Sequence, residues 1–141
     1  QRMWFINRFD PSSPAYNIPF ALTLTGRLDV DALRAALADV ITRHESMRTV
    51  FPADENGDAV QEILDPAILA TDTSWWSRPT DIAAARDLAR QPFDVTRDLP
   101  IRTALVATGD DDHLLVVIIH HIAADGESLA PLLRDIVTAY T

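Results

Sequence analysis

Two histidines, an aspartate and a glycine fall within seven residues in His120-His121-Ile122-Ala123-Ala124-Asp125-Gly126. An imidazole takes and returns a proton near neutral pH, so either histidine could serve as an acid or base or hold an amine in place. Asp125 is near enough to turn back on the loop or meet an arginine. Gly126 lets backbone approach a reacting group closely, and free N–H groups at a helix start favour developing negative charge. Three chemistries are open to this segment: a packed histidine pair with a helix-capping Asp, a metal site, and a nucleophilic triad using Ser128. Convergence of four such residues on one turn weakens the first. A metal needs both imidazoles on one side plus a third ligand, which adjacent strand residues do not readily supply, so no metal is expected. Ser128 lacks an elbow pattern around it, which weakens the triad.

The elements around the segment set its geometry. Leu114 to Ile119 is apolar at every position and predicts a strand buried on both faces, central in a sheet. Leu129, Leu132, Leu133, Ile136 and Val137 predict a closing amphipathic helix, so the histidines sit at a strand-to-helix turn, where sites are built. Successive strand residues point to opposite faces, so one histidine can enter a given cleft and the other is held inside.

Upstream, Ile101 to Ala107 and His113 to Ile119 read as a hairpin around Gly109-Asp110-Asp111-Asp112, an acidic run that is most simply a solvated turn. Alternation from Tyr16 to Gly26 predicts a strand. Asp29 can cap a helix with Leu33, Ala36, Leu37, Val40 and Ile41 on one stripe, which His44 and Met47 extend. That stripe makes His44 a packed, hydrogen-bonded residue. Arg48 to Phe51 and the stretch with Val60, Ile63 and Leu64 predict two short strands around Asn56-Gly57. Thr80 is the expected cap of a helix through Arg90 with Ile82, Ala85, Leu88 and Ala89 inward. Arg2 to Phe9 reads as a short helix ended by Asp10-Pro11. Trp75 and Trp76 read as packing residues.

Composition narrows the partners. The 141 residues are 48% apolar and 23% charged with four Gly, a globular domain of ordinary size. Twelve cations against 21 Asp and Glu leave a net charge of -9, which repels nucleic acid and anionic lipid. Every cation is Arg, so lysine Schiff-base chemistry is excluded; without Cys there is no thiol nucleophile, Cys-ligated zinc or disulfide, and a cytoplasmic home is expected. No apolar run approaches the ~20 residues of a membrane span. No signal peptide is visible, and a start at Gln1 without an initiator Met suggests a piece of something longer.

The His-His-x-x-x-Asp-Gly segment resembles the signature of condensation domains of nonribosomal peptide synthetases. Gln1-Arg2-Met3-Trp4-Phe5 is similar to the family's first core motif. Arg43-His44-Glu45-Ser46-Met47-Arg48-Thr49-Val50-Phe51 is similar to its second, with Met47 in place of Leu. Tyr16-Asn17-Ile18-Pro19 and Pro92-Phe93-Asp94 also resemble family usage. The histidine motif alone is shared with other acyltransferases and epimerization domains; the ordered set over the whole chain is far more specific. Cyclization relatives carry an Asp-based motif instead. Glu127 departs from the Trp often found there and can favour the helix dipole.

The resemblance implies an α/β fold of the α+β type, a chloramphenicol-acetyltransferase-like lobe with a mixed sheet and flanking helices. Residues 1–141 would be the N-terminal lobe, separated from its C-terminal lobe. The implied reaction joins carrier-bound aminoacyl or peptidyl thioesters through an amide. His121 and Gly126 would be catalytic, with His120, Asp125 and Arg48 supporting the site and Arg48 pairing with Asp125. Arg48 as a solvated strand-end cation is the alternative. No cofactor would bind directly, the substrates riding on phosphopantetheine arms. The partners would be donor and acceptor carrier domains and the C-terminal lobe, with neither nucleic acid nor membrane. The competing functions are an inert carrier-docking module and an ester-forming acyltransferase.

Overall fold

A computed structural model describes residues 3–8, 17–58, 60–91, 93–120, 131 and 134–138. Its centre is the strand β7, Asp112–His120, which lies between β2, Asn17–Thr25, and β6, Ile101–Gly109. Hydrophobic side chains on both of its faces can be covered only if it is interior to a sheet with a layer on each side. Leu115, Val117 and Ile119 enter one cluster, and Val116 and Ile118 enter the other. The five strands run in the order β1-β2-β7-β6-β5, with β1 Met3–Arg8 and β5 Trp76–Ser77 at the edges. All neighbours are antiparallel except β5 and β6, so the sheet is mixed.

The first cluster is closed by helix α1, Val30–Arg43, whose buried residues are Leu33, Ala36, Leu37, Val40 and Ile41. The 3.6-residue period places these on one stripe, and the Asp29 carboxylate accepts from the Ala32 amide at 3.1 Å to start the helix. The stripe continues past α1 through a 3-10 turn, Glu45–Arg48, that buries Met47. Beyond it, β3, Thr49–Val50, pairs with β4, Glu62–Ile63, as a two-stranded sheet. The connection turns at Asp54, which accepts from the amides of Asn56 and Asp58, and at Gly57, whose φ of 83° suits a residue without Cβ. Ile136 of the closing helical residues is also buried in this cluster.

The second cluster is closed by α3, Ile82–Arg90, through Ala85 and Ala89. Between the β-hairpin and α3, the four-residue helix α2, Ile68–Thr71, brings the Leu69 carbonyl to the Trp75 indole N–H at 3.1 Å. Trp75 is thereby buried with its one polar atom satisfied, and the Arg34 guanidinium stands 5.7 Å from the ring centre.

Three expectations need correction. Met3–Arg8 is a strand, not a helix: eight residues cannot offset the cost of helix nucleation alone, whereas β2 offers a pairing edge from Met3↔Thr25 to Arg8↔Phe20. The cap of α3 is Asp81, which accepts from Ala84 N at 2.8 Å, not Thr80. Ile82, at the first helical position, is exposed, whereas Ala85 and Ala89 are buried and Leu88 packs half-buried against their cluster.

Trp75→Ala should destabilise the fold by about 3–5 kcal/mol, as for other buried aromatic truncations. Chemical denaturation of the chain tests this, and a loss below about 1 kcal/mol would show that the indole does not anchor the core.

Candidate functional site

His120 is the last residue of β7, so the seven-residue motif begins where the central strand ends. Its backbone is held on both sides, opposite Asn17 in the β2 pairing and through its N–H to the Pro100 carbonyl at 2.9 Å. Even-numbered residues of β7 face α3, and the His120 ring follows them to meet Phe93, with centroids 5.7 Å apart and planes at 87°. The period of two thus carries the first histidine to the α3 side. His121, Asp125 and Gly126 lie outside the described residues.

Phe93 is itself capped. The Arg102 guanidinium carbon lies 3.8 Å from its ring centre, and Arg102 Nη1 donates to the carbonyls of Leu88 at 3.3 Å and Gln91 at 2.7 Å. The Leu88 carbonyl also accepts from the Gln91 N–H at 3.3 Å, and a cation suits the negative end of α3. Burial pulls the Arg102 pKa below the ordinary arginine value, with the Asp98 charge opposing. Arg102 also borders a cleft of about 420 Å³ that Trp76, Leu88 and Leu99 help to line.

Asp94 follows Phe93 and organises the next turn. Its carboxylate accepts from the Thr96 hydroxyl and amide, bonds that, with the Arg97 charge, hold its pKa below the usual 3.8. The Phe51 amide donates to the Val95 carbonyl at 2.7 Å. That bond brings the end of the Arg43-to-Phe51 motif against the Phe93 segment, although 42 positions separate Phe51 from Phe93.

Arg48 is buried, not solvated. Its Nε donates to the Ile41 carbonyl at 3.3 Å, Nη2 to Thr42 at 3.0 Å, and Nη1 to Leu64. The guanidinium fork spans the open carbonyls at the end of α1 and ties them to the chain leaving β4. His44, the C-terminal cap of α1, meets Asp135 through Nε2 and Oδ2 at 2.6 Å. It is packed and hydrogen-bonded, as its stripe position implies, but its partner is 91 positions away. His44 therefore ties α1 to the helical residues that follow the motif. A further histidine, His113, stands at the other end of β7, opposite Leu24 and Ala107.

The described residues thus place His120 and Arg48 in separate networks: one fixes the exit from β7, the other joins α1 to β4. Phe93 and Arg102 carry no role that spacing alone assigns. A signal for Phe93 exists in Pro92-Phe93-Asp94, whereas Arg102 is one arginine among twelve. Among the described residues no group of three His, Asp or Glu could hold a metal ion, and no helix is long and apolar enough to cross a membrane.

A mixed sheet with helices on both faces, whose central strand ends at the first residue of the histidine motif, is a chloramphenicol-acetyltransferase-like fold. The family profile for the condensation domain matches residues 1–141, and the chain belongs to that family. It is 43% identical over 145 residues to the isonitrile lipopeptide synthase of Mycobacterium tuberculosis and 40% identical over 145 residues to a dimodular nonribosomal peptide synthase of Bacillus subtilis. In each case 99% of this chain is covered, and the chain spans 6% of the relative's length. Among solved structures it resembles the X-domain of teicoplanin biosynthesis in its complex with OxyB. There the identity is 36% and the TM-score 0.73, over 93% of this chain and 28% of that one.

Two outcomes follow from these contacts. Arg48→Met keeps the aliphatic stem but strands the carbonyls of Ile41, Thr42 and Leu64, and should cost about 2–4 kcal/mol in a denaturant titration. For Asp94 the folded pKa is the lower one, so the unfolded chain binds more protons as pH falls below about 4, and stability falls with it. Thr96→Val removes the hydroxyl donor and should flatten that acid slope; an unchanged slope would show that the hydroxyl does not hold the carboxylate.

Proposed function

We propose that this chain is the N-terminal lobe of a condensation domain that forms amide bonds between carrier-bound thioesters in nonribosomal peptide synthesis. The observation that carries the reading is the position of the His-His-x-x-x-Asp-Gly motif, whose first residue closes the most buried strand of a condensation-family lobe. In the reaction the acceptor α-amine attacks the donor thioester carbonyl, the carbon–sulfur bond breaks, and the departing thiolate takes up a proton.

The energetics favour positioning over proton abstraction. An α-amine has a pKa of about 7.7 to 8.0, so taking its neutral fraction at neutral pH costs only about 1 to 1.5 kcal/mol. Holding both thioesters in reacting geometry can supply ~7–11 kcal/mol, against roughly 3–5 for acid–base assistance of 10²- to 10⁴-fold. His121 orients the amine and receives its proton after attack, and the Gly126 N–H fixes the oxyanion. His120 and Asp125 support the loop, and Arg48 uses the donors left beside its three carbonyl bonds to hold Asp125.

Both substrates arrive on phosphopantetheine arms of donor and acceptor carrier domains. The second lobe closes the channel, no cofactor binds directly, and the location is cytoplasmic. A second reading, a binding module that docks partners without turnover, is favoured by one observation: a 36% identical X-domain has been solved in complex with OxyB. An alcohol acceptor, giving an ester, is the remaining variant within the enzyme reading.

In the complete domain supplied with loaded donor and acceptor carriers, His121→Ala should lower the rate of amide formation by about 10²- to 10⁴-fold. Equal product from both proteins refutes the role of His121; carrier binding without product from either supports the docking module. Amine and hydroxyl acceptors offered together separate amide from ester formation.

A further inference from the structure

We propose that Phe93 and Arg102 are positioning residues for the loop carrying His121 and Gly126, acting through the ring of His120; the proposal rests on the amide-forming reading above. On the β6 side, regular pairing stops one residue before the motif, because Ile101 at the start of β6 faces Ile119. The Pro100 carbonyl then takes the His120 N–H, and this fixes one atom of the peptide preceding the loop. The direction in which the chain leaves depends on the dihedrals of His120, and one contact that restrains its side chain is the perpendicular Phe93 ring.

That ring is held from behind. Phe93 is 9% exposed, and the planar cation of Arg102 covers it at 3.8 Å. Arg102 in turn is fixed from two sides, by the carbonyls of Leu88 and Gln91 and by its place in β6 opposite Ile118, two residues before His120. The stack therefore crosses from the last turn of α3, over β6, to the end of β7. A side chain locked at the last strand residue limits the directions open to the residue after it. A displacement of about 1 Å in a reacting group can cost ~10²-fold in rate. Neither Phe93 nor Arg102 needs to touch substrate for this.

The test uses the complete domain with loaded carriers and follows kcat and KM for each carrier. Phe93→Leu removes the ring, and Arg102→Met keeps the stem while removing the planar cation. Phe93→Leu should lower kcat by about 10- to 100-fold and Arg102→Met by about 3- to 10-fold, with KM changed less than about 2-fold. Phe93→Tyr, which keeps the ring, should retain more than about half of kcat. A purely packing role would lower the folded fraction without changing kcat per folded molecule, so activities are normalised to folded protein. Should Phe93→Leu fail to fold, Arg102→Met decides, and an unchanged kcat in it overturns the proposal. His121→Ala is assayed in parallel. If that variant loses product while Phe93→Leu and Arg102→Met turn over normally, only this proposal fails; if it matches the parent, the amide-forming reading fails and takes this proposal with it.

Discussion

The structure depends on one constraint, that β7 must be covered on both faces. Val116, Val117, Ile118 and Ile119 are all fully buried, and no edge strand could be so. The requirement forces β2 and β6 to flank it, α1 to close one face and α3 the other. It also fixes where the strand must stop. His120, the last residue of the strand, is half-buried, and the histidine motif begins there.

Around that strand, arginines hold the layers together in ways that their charge alone would not suggest. Arg48 closes the carbonyl end of α1 with a planar fork that reaches several acceptors at once, and Arg102 meets the end of α3 through Nη1. A lysine offers a single point of charge and could not span the three carbonyls that Arg48 reaches. The two helices lie on opposite faces of the sheet, so each arginine pins one cover of β7. His44 adds a third tie, from α1 to the helical residues after the motif.

Much of the fold is legible in the order of residues, for reasons specific to each element. The stripe of α1 from Leu33 to Ile41 is unambiguous, because a 3.6-residue period over 14 residues has few rivals. The hairpin of β6 and β7 and the central place of β7 follow from its two apolar faces. The apolar residues of Met3–Arg8 suit either period, and pairing with β2, which local spacing does not show, makes the segment a strand. At the motif, alternation predicts opposite faces for the two histidines; of these, His120 lies on the α3 side, and His121 is outside the described residues.

Sequence alone determined the chemistry available: histidine, glycine and aspartate at a strand end, no thiol, no lysine, an acidic surface, and the ordered motifs of a condensation domain. Only tertiary structure decided which distant residues meet. The Phe51 amide meets Val95, His44 meets Asp135, and Phe93 stands between Arg102 and His120 because the sheet brings distant segments to one end. Periodicity reports which face a residue occupies, which is local; the partner across that face is set by strand order and helix placement, which no local spacing encodes.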